Sequence, residues 1–415
     1  MTRQMKMALA NDRLSDLPDN LLSHEILPKI SFRNAVRCSV LSRRWRFLWK
    51  EMPQLHFCCQ DFEKQKEDEI QAIIENALIQ NKSATLHSFQ LQIALTSTYN
   101  NLIKLDLWVH SWVQLAAQKS VKRIALEFSD RDSKIAKKFN SSLMFQLGYS
   151  VFEGCHYLEA LKLKCCSLPN IPSNFGGFQF LKACYWYDIW DLNDAIFQQL
   201  MDLCPNLQSL GVHACGKLRN FKISAPNLQN LVVHDCHLLG NLKISAPKLG
   251  FLDVGFFRSA TSFEVVSHHL TEIKLQQSAT TQGLQLLEGL SRGESVKKIT
   301  LLNRDGANQD VPSVSVLDSF PSLQELTIHG QCFEEMISVN KVPEGVTLEN
   351  LKKVHVHIVP EMDEKVVTLL GFLLRNCSLN AMRIFLPPRC SKIIQKKLLD
   401  LKKEFPESKI FIDRI

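Results

Sequence analysis

Apolar positions recur along this chain in a fixed pattern, in which an apolar residue is followed by others three and five positions later. Leu207, Leu210 and Val212 form one copy, and the next copies begin after further steps of 21 residues at Leu228, Leu249 and Leu270. The pattern continues in copies that begin at Val121, Leu158, Phe178, Val296, Leu323, Leu351 and Leu379. A regular short apolar repeat of this length predicts one strand per copy, stacked so that neighbouring copies bury a shared core.

The segments between the copies predict how the chain returns from one strand to the next. The segments FKISAP (221–226) and LKISAP (242–247) alternate apolar and polar residues as strands do, so these returns are predicted to be extended. Longer copies leave room for a helix. We expect one over residues 192–203, capped by Asp191, and another over residues 366–374.

This repeat resembles the leucine-rich repeat, in which an Asn or Cys follows the last strand position by three residues. Cys166, Cys215 and Cys236 occupy that slot, whereas Phe257 and Val359 replace the cysteine in two other copies. The resemblance implies that the cysteines satisfy backbone groups inside the turns. Residues 351–415 are predicted to form strand, helix, strand, helix and closing strand, which resembles the FBD domain at the end of many plant repeat proteins.

The segment before the repeats has the spacing of three short helices. Pro18 suits the first turn of a helix, and Asn34 and Ser42 are placed to cap the second and third helices. The second helix is expected to carry the apolar residues Ala35, Val36 and Val40. A module of fewer than about 40 residues buries too little surface to be secure alone, so exposed apolar residues on it would indicate an interface.

The three-helix segment resembles an F-box, and its closest match is the run SVLSRRWRFLW (39–49). The resemblance implies docking on a Skp-type adaptor, which connects the F-box to a cullin ubiquitin ligase. The docking positions of the family fall on Leu17, Pro18, Leu22, Ile26, Val36, Leu41 and Trp45. Two departures from the family pattern are Glu25, which resembles an inserted residue, and Pro28, which predicts that the first helix ends early.

The predicted fold class is α/β, with a small N-terminal all-α F-box followed by a leucine-rich-repeat solenoid. The solenoid is expected to be a parallel strand stack with helical or extended returns. We assign residues 12–57 to the F-box and 58–120 to connecting helices that pack the start of the repeats. The repeats then occupy residues 121–350, and residues 351–415 form an FBD-like C-terminal domain that continues the solenoid.

Composition narrows the classes of function. The 415 residues are 45% hydrophobic and 22% charged, which is ordinary for globular protein. The formal charge is +7, but Lys and Arg are scattered, so no nucleic-acid partner is predicted. No apolar run approaches the roughly 20 residues that cross a bilayer, so no membrane association is predicted, and we expect an intracellular protein of the nucleus, the cytoplasm or both. The 13 cysteines include no C-x-x-C pair, so they are read as buried thiols.

The sequence carries no motif for nucleotide binding, zinc proteolysis or serine hydrolysis, so no catalytic residue, cofactor or metal is predicted. The repeat register does place four histidines in one outward column: His213, His234, His329 and His357. Two of them on adjacent strands offer a metal or pH-sensing site, and the alternative is ordinary polar residues on a solvated face. Gly255 interrupts the column, and no acidic residue is evident beside the histidines, which favours the alternative.

The same register predicts a recognition surface for a target protein, with Phe251 and Val232 as apolar anchors. The alternative is ordinary variation of surface residues. The residues of the predicted surface are Ser209, His213, Asn230, Val232, His234, Phe251, Asp253, Glu272 and Lys274. The predicted function is therefore that of a non-catalytic substrate-recognition subunit of a Skp–cullin–F-box ubiquitin ligase, with an unknown target. The alternative is a repeat-based interaction scaffold that does not engage the ligase, for which Glu25 and Pro28 are the reason.

Overall fold

The computed structural model describes two compact units, Met1–Tyr185 and Trp186–Ile415. The residues that it describes are 14, 16–62, 65–95, 102–130, 145–255, 262–277, 290, 293–303, 317, 319–329, 348–358, 365–377, 379–388, 390–406 and 409–414. Phe257 and Val359, which replace the turn cysteine in two copies of the repeat, lie outside these residues.

The first unit opens with a continuous helical run from Asp19 to Lys29. A single α-helical turn (Asp19–Leu21) passes into a π-helical turn (Leu22–Ile26) and then into a 3-10 turn (Leu27–Lys29). A π turn holds one residue more than an α turn, so it accommodates Glu25 without breaking the run. Pro28 stands in the first turn of the 3-10 segment, where its missing N–H costs no helical hydrogen bond. The run then ends at Lys29, one residue after Pro28, which agrees with the predicted early end of the first helix.

Two further helical segments complete this N-terminal module. Helix α1 (Phe32–Arg37) is capped by Ser31, whose Oγ accepts a 3.4 Å hydrogen bond from the backbone N–H of Asn34. The predicted cap at Asn34 is thus wrong by three residues, because Ser31 already has the extended backbone that a cap needs. A 3-10 turn (Cys38–Val40) and a 3-10 helix (Trp45–Glu51) follow. The Oγ of Ser42 accepts from the N–H of Trp45 at 3.4 Å, in the predicted capping role.

The remainder of the first unit contains a parallel sheet in the strand order β1, β2, β3, β5. The strands are β1 (Gln54–Phe57), β2 (Ser88–Leu95), β3 (Arg123–Asp130), β4 (Phe145–Gln146), β5 (Ala160–Lys164) and β6 (Cys166–Ser167). The helices are α2 (Glu67–Gln80), α3 (Leu102–Ala117) and α4 (Ser150–Gly154). In register, Phe89 lies beside Ile124 and Leu91 beside Leu126, and all four side chains are buried. Strand stacking therefore begins at β1, well before Val121, where the repeat pattern placed it.

Strand β7 (Ala183–Tyr187) corrects the register of one repeat. The sequence pattern predicts a copy of the repeat at Phe178, Leu181 and Ala183. The side chains that fill the inward strand positions are instead Cys184 and Trp186, each 1% exposed, while Ala183 is only half-buried. The true copy begins at Leu181, and it is hard to detect because a cysteine and a tryptophan replace the usual aliphatic residues.

The second unit contains a long parallel sheet, in which nine described strands lie in the order β8, β10, β12, β14, β15, β16, β17, β18, β19. Their ranges are β8 (Ser209–His213), β10 (Asn230–His234), β12 (Phe251–Gly255), β14 (Glu272–Gln277), β15 (Lys298–Asn303), β16 (Glu325–His329), β17 (Lys353–His357), β18 (Ala381–Leu386) and β19 (Ile410–Arg414). Leu210, Leu231, Leu252 and Ile273 are Cα partners across four of these strands, and each is at most 1% exposed. The predicted rungs therefore share one core.

The returns of the second unit are both extended and helical, as predicted. Strands β9 (Asn220–Ser224), β11 (Asn241–Ser245) and β13 (Ser262–Val266) form a second parallel sheet from the FKISAP and LKISAP segments and their successor. Helix α5 (Asp194–Asp202) is capped by Asn193, whose Oδ1 accepts from the N–H groups of Ala195 and Ile196 at 3.0 Å each. The predicted cap at Asp191 is wrong. Helices α6 (Lys365–Asn376) and α7 (Lys392–Glu404) complete the C-terminal region.

The turn cysteines lie at the end of the strands, where the repeat places them. The Sγ atom of Cys215 donates to the carbonyl of His213 at 3.5 Å, and that of Cys236 donates to the carbonyl of His234 at 3.4 Å. Both thiols are fully buried, and the residues before them, Ala214 and Asp235, have φ angles of 54° and 55°. Each thiol thus bonds a backbone carbonyl inside its own turn.

Candidate functional site

The N-terminal module has a small core of its own. Its buried members are Leu22, Leu27, Ala35, Trp45, Leu48 and Met52, and Leu17, Ile26, Cys38 and Trp49 pack partly against them. Two of the predicted docking residues, Leu22 and Trp45, are therefore only 0% and 7% exposed. Leu22 and Trp45 can therefore affect docking only indirectly, by maintaining the shape of the module.

Other predicted docking positions lie on the module surface. Pro18 and Leu41 are exposed, while Val36 is half-buried. Among the described residues, Val40 is the most exposed large apolar side chain, at 85%, and Leu41 beside it is 65% exposed. The sequence pattern places Val40 on the second helix, but that helix ends at Arg37 and Val40 lies in the 3-10 turn that follows, with its side chain exposed.

Arg44 connects the start and the end of the module. Its Nε atom lies 2.6 Å from Oδ1 of Asp19, and its Nη2 donates to the carbonyl oxygen of Leu17. Both charged side chains are exposed to solvent, so the pair stabilises the module only weakly. Its consequence is geometric, because it holds Leu17 and Pro18 beside the third helix.

The second candidate surface is the solvent face of β8, β10, β12 and β14. Three rows of Cα partners cross these strands. The rows are Ser209, Asn230, Phe251 and Glu272; Gly211, Val232, Asp253 and Lys274; and His213, His234, Gly255 and Gln276. The structure thus brings all nine predicted target-binding residues onto one face. Phe251 and Val232 are half-buried, and Phe251 lines an open groove of about 420 Å³ together with Asn230 and Glu272.

Asp253 is the centre of a polar network on this face. Its Oδ1 lies 2.6 Å from Nε2 of His234 and 3.3 Å from Nε2 of Gln276, and its Oδ2 lies 3.0 Å from Nζ of Lys274. Burial alone would raise the pKa of Asp253, but the hydrogen bond and charge of His234 and those of Lys274 together hold this pKa below its usual value. Asp253 and His234 are only 5% and 7% exposed, so both are structural members of the face rather than open contact residues.

The expectation that no acid stands beside the histidines is wrong. His234 faces Asp253, and Nε2 of His213 lies 2.8 Å from Oδ2 of Asp235. Asp253 is a diagonal neighbour on the next strand, two positions along the register, and such pairs are within reach of long side chains. The repeat register in the sequence already gives this offset of two positions between His234 and Asp253. Asp235 lies in the turn after β10, whose left-handed backbone the repeat pattern does not specify.

The described residues contain no group of three or more His, Cys, Asp or Glu side chains arranged to hold a metal ion. In the same part of the chain, no helix is both long and apolar enough to cross a membrane. The rings of His329 and His357 are stacked with their centroids 3.6 Å apart, which directs their nitrogen lone pairs in parallel and not toward a common ion.

Stacked parallel strands, inward leucines at fixed steps and cysteine-containing turns define a leucine-rich-repeat protein. The family model described as At1g61320/AtMIF1, LRR domain, matches residues 78–384, which is more than half of the chain. The chain belongs to this family of leucine-rich-repeat domains. The match begins within helix α2, in agreement with the early start of strand stacking.

Curated relatives from Arabidopsis thaliana carry F-box names. The chain is 28% identical to F-box/FBD/LRR-repeat protein At3g52680 over 212 residues, which are 51% of this chain and 42% of that protein. It is 30% identical to F-box/LRR-repeat protein At3g26922 over 222 residues, which are 50% of this chain and 64% of that protein. The alignments thus span about half of this chain and less than two thirds of each relative. The predicted resemblance to plant F-box/leucine-rich-repeat proteins is confirmed.

Proposed function

We propose that this chain is the substrate-recognition subunit of a Skp–cullin–F-box type ubiquitin ligase. In this role the N-terminal module docks on the adaptor, and the strand face of the repeats binds the protein to be ubiquitinated. The chemistry of ubiquitin transfer belongs to other subunits, so the chain itself acts as a non-catalytic adaptor.

The observation that carries this proposal is the pair of exposed apolar side chains at Val40 and Leu41. The module already has a filled core, so these side chains have no inward place to pack. Neighbouring apolar side chains at 85% and 65% exposure are typical of a surface that a partner covers. Leu17 and Pro18, held by Arg44, add apolar surface on the same module.

The alternative, a repeat scaffold without ligase engagement, rested on Glu25 and Pro28. The π-helical turn accommodates Glu25, and the 3-10 turn accommodates Pro28, so the helical run passes through both residues before it ends at Lys29. This favours a docking module over one that has degenerated. The names of the Arabidopsis relatives favour the same function.

The adaptor contact is tested by co-precipitation of the full chain with a purified Skp-type adaptor. Removing one well-packed apolar contact from an interface typically costs more than about 1 kcal/mol, and a buried carboxylate costs more. We therefore expect Leu41→Glu to reduce adaptor binding at least about tenfold, and Leu17→Ala with Pro18→Ala to weaken it as well.

Leu399 provides a matched control, because it is 54% exposed on helix α7 in the other unit. Leu399→Glu places the same charge on another exposed leucine and should leave adaptor binding unchanged. Absence of binding by the unmodified chain would favour the scaffold. Equal binding by Leu41→Glu and Leu399→Glu would show that the exposed pair at Val40 and Leu41 is not the adaptor contact. Substrate turnover by the purified chain that survives Leu17→Ala with Pro18→Ala would indicate an enzyme instead.

A further inference from the structure

Three rings are stacked on the solvent face of β16, β17 and β18. The centroids of His329 and His357 lie 3.6 Å apart with 10° between the ring planes, and those of His357 and Phe385 lie 4.3 Å apart with 18° between the planes. His329 and His357 are Cα partners, as are His357 and Phe385, so the stack follows the strand register. All three side chains are half-buried, which leaves part of each ring open to solvent.

The imidazoles of this stack are held in the neutral form. Burial lowers the pKa of His329 to about 4, with help from the charges of His357 and Lys274. Burial, with the neighbouring His355, lowers the pKa of His357 as well. Near neutral pH the stack is therefore an uncharged, flat surface that suits an aromatic or aliphatic side chain.

Two exposed cations lie on the same strands as the stack, Lys353 four positions before His357 and Arg383 two positions before Phe385. Lys353 lies on β17, and Arg383 lies on β18 as the Cα partner of His355. Arg383 lies over the ring of Phe411, with 5.7 Å from Cζ to the centroid, which keeps its guanidinium extended along the face. Among the described residues, neither Lys353 nor Arg383 has an acidic partner within ion-pair distance.

The acids of the neighbouring strands are already paired. Asp253 is bonded by His234 and Lys274, and Lys298 lies 3.3 Å from Glu272 and 3.4 Å from Glu325. Lys298 is thus shared by two carboxylates, and Glu325 is also the Cα partner of Lys353. The acid nearest in register on the far side is Asp413, the Cα partner of Phe385 on β19. Lys353 and Arg383 are therefore the exposed cations of β17 and β18 that acidic groups from outside can pair with.

We propose that His329, His357, Phe385, Lys353 and Arg383, together called the C-terminal strip, form a docking surface for an acidic peptide segment that carries an aromatic side chain. The peptide carboxylates pair with Lys353 and Arg383, and its aromatic ring packs on the stack. The role of the C-terminal strip in target binding rests on the proposed function. Binding of the peptide to this chain, however, does not require the adaptor.

A nucleic acid fits this face less well. A phosphate backbone that crosses the strands would pass the carboxylates of Glu272, Glu325 and Asp413 on the same face. Only two uncompensated cations are present in the strip, whereas nucleic-acid sites neutralise several phosphates at once. A short peptide can place its carboxylates at Lys353 and Arg383 and avoid the acids on either side.

The test is fluorescence anisotropy of the purified full chain with a short labelled peptide in which glutamate and tryptophan alternate. Lys353→Gln with Arg383→Gln should weaken binding about three- to tenfold, as expected for two exposed ion pairs. The matched control is Lys217→Gln with Lys222→Gln, which removes the same charge from exposed lysines elsewhere in the same unit and should have no effect. Replacing the peptide's glutamates by glutamine, or its tryptophans by serine, should also weaken binding.

The proposal is overturned if the peptide does not bind, if both double variants bind it equally, or if the glutamine peptide binds as tightly as the acidic one. It is also overturned if a single-stranded oligonucleotide binds more tightly than the peptide and loses affinity in Lys353→Gln with Arg383→Gln. Adaptor co-precipitation is measured separately on the same variants. Loss of the adaptor contact alone would therefore contradict the proposed function and not the peptide site.

Discussion

Replacement of Asp253 by asparagine removes the charge at the centre of the polar network without changing the size of the side chain. His234 then loses a 2.6 Å charge-assisted contact, and its own side chain is 9% exposed, so water cannot replace that contact. Lys274 is 32% exposed and can turn toward solvent, so it adds less to the loss. The expected destabilisation is about 1–3 kcal/mol, which lowers the melting temperature of a unit of this size by roughly 2–10 °C.

This loss should depend on pH in a definite direction. The pKa of Asp253 is lowered in the folded chain, so its ionised form contributes stability above the unfolded value of about 4. That contribution disappears as the pH falls through the lowered pKa. The difference between the native chain and Asp253→Asn should therefore be full at neutral pH and shrink in acid.

The assay is thermal unfolding followed by tryptophan fluorescence, at neutral pH and in acid. Asp400→Asn is the control, because Asp400 makes an exposed pair with Lys403 at 3.2 Å, and it should change stability by less than about 0.5 kcal/mol. Equal melting temperatures for Asp253→Asn and Asp400→Asn would refute the assignment of Asp253 as the centre of a stabilising network.

Two further substitutions test other parts of the second unit. Because the pKa of His329 is lowered to about 4, the unfolded chain binds a proton that the folded chain rejects, so stability should fall as the pH drops below about 6.5. His329→Gln should reduce the pH dependence of the unfolding free energy measured in urea. An unchanged pH dependence would contradict the lowered pKa of His329. A Cβ at Gly255 would lie 2.1 Å from the carbonyl oxygen of Gln276, so Gly255→Ala should cost about 1–3 kcal/mol. As the control, a Cβ at Gly216 would lie 3.6 Å from the side chain of Trp190, so Gly216→Ala should be tolerated. Equal unfolding midpoints for Gly255→Ala and Gly216→Ala would refute the close approach at Gly255.

The repeat pattern predicted much of the second unit because its inward positions are aliphatic and its spacing is constant. Leu210, Leu231 and Leu252 are successive rungs for that reason. The same pattern failed at β7, where Cys184 and Trp186 fill the inward positions. It also missed β2, although residues 89–93 (FQLQI) alternate strictly and Leu86, Phe89 and Leu91 have the spacing of the other copies.

The details of caps and side-chain partners were less predictable. Ser31 and Asn193 cap their helices, although Asn34 and Asp191 are also suitable types, because the backbone just before each helix decides between them. The register placed His234 and Asp253 on one face, but it did not show that they touch. Contacts between side chains on neighbouring strands depend on rotamers, and these are fixed only by the packed structure.

Hydrogen exchange of the full chain, with and without a saturating Skp-type adaptor, tests most directly whether the N-terminal module is a docking surface. Adaptor binding should slow amide exchange in the segment around Val40 and Leu41 and leave the strands β8 to β19 unchanged. If exchange around Val40 and Leu41 stays the same while the adaptor is bound, or if protection appears only on the strands, the exposed apolar pair is not the adaptor contact.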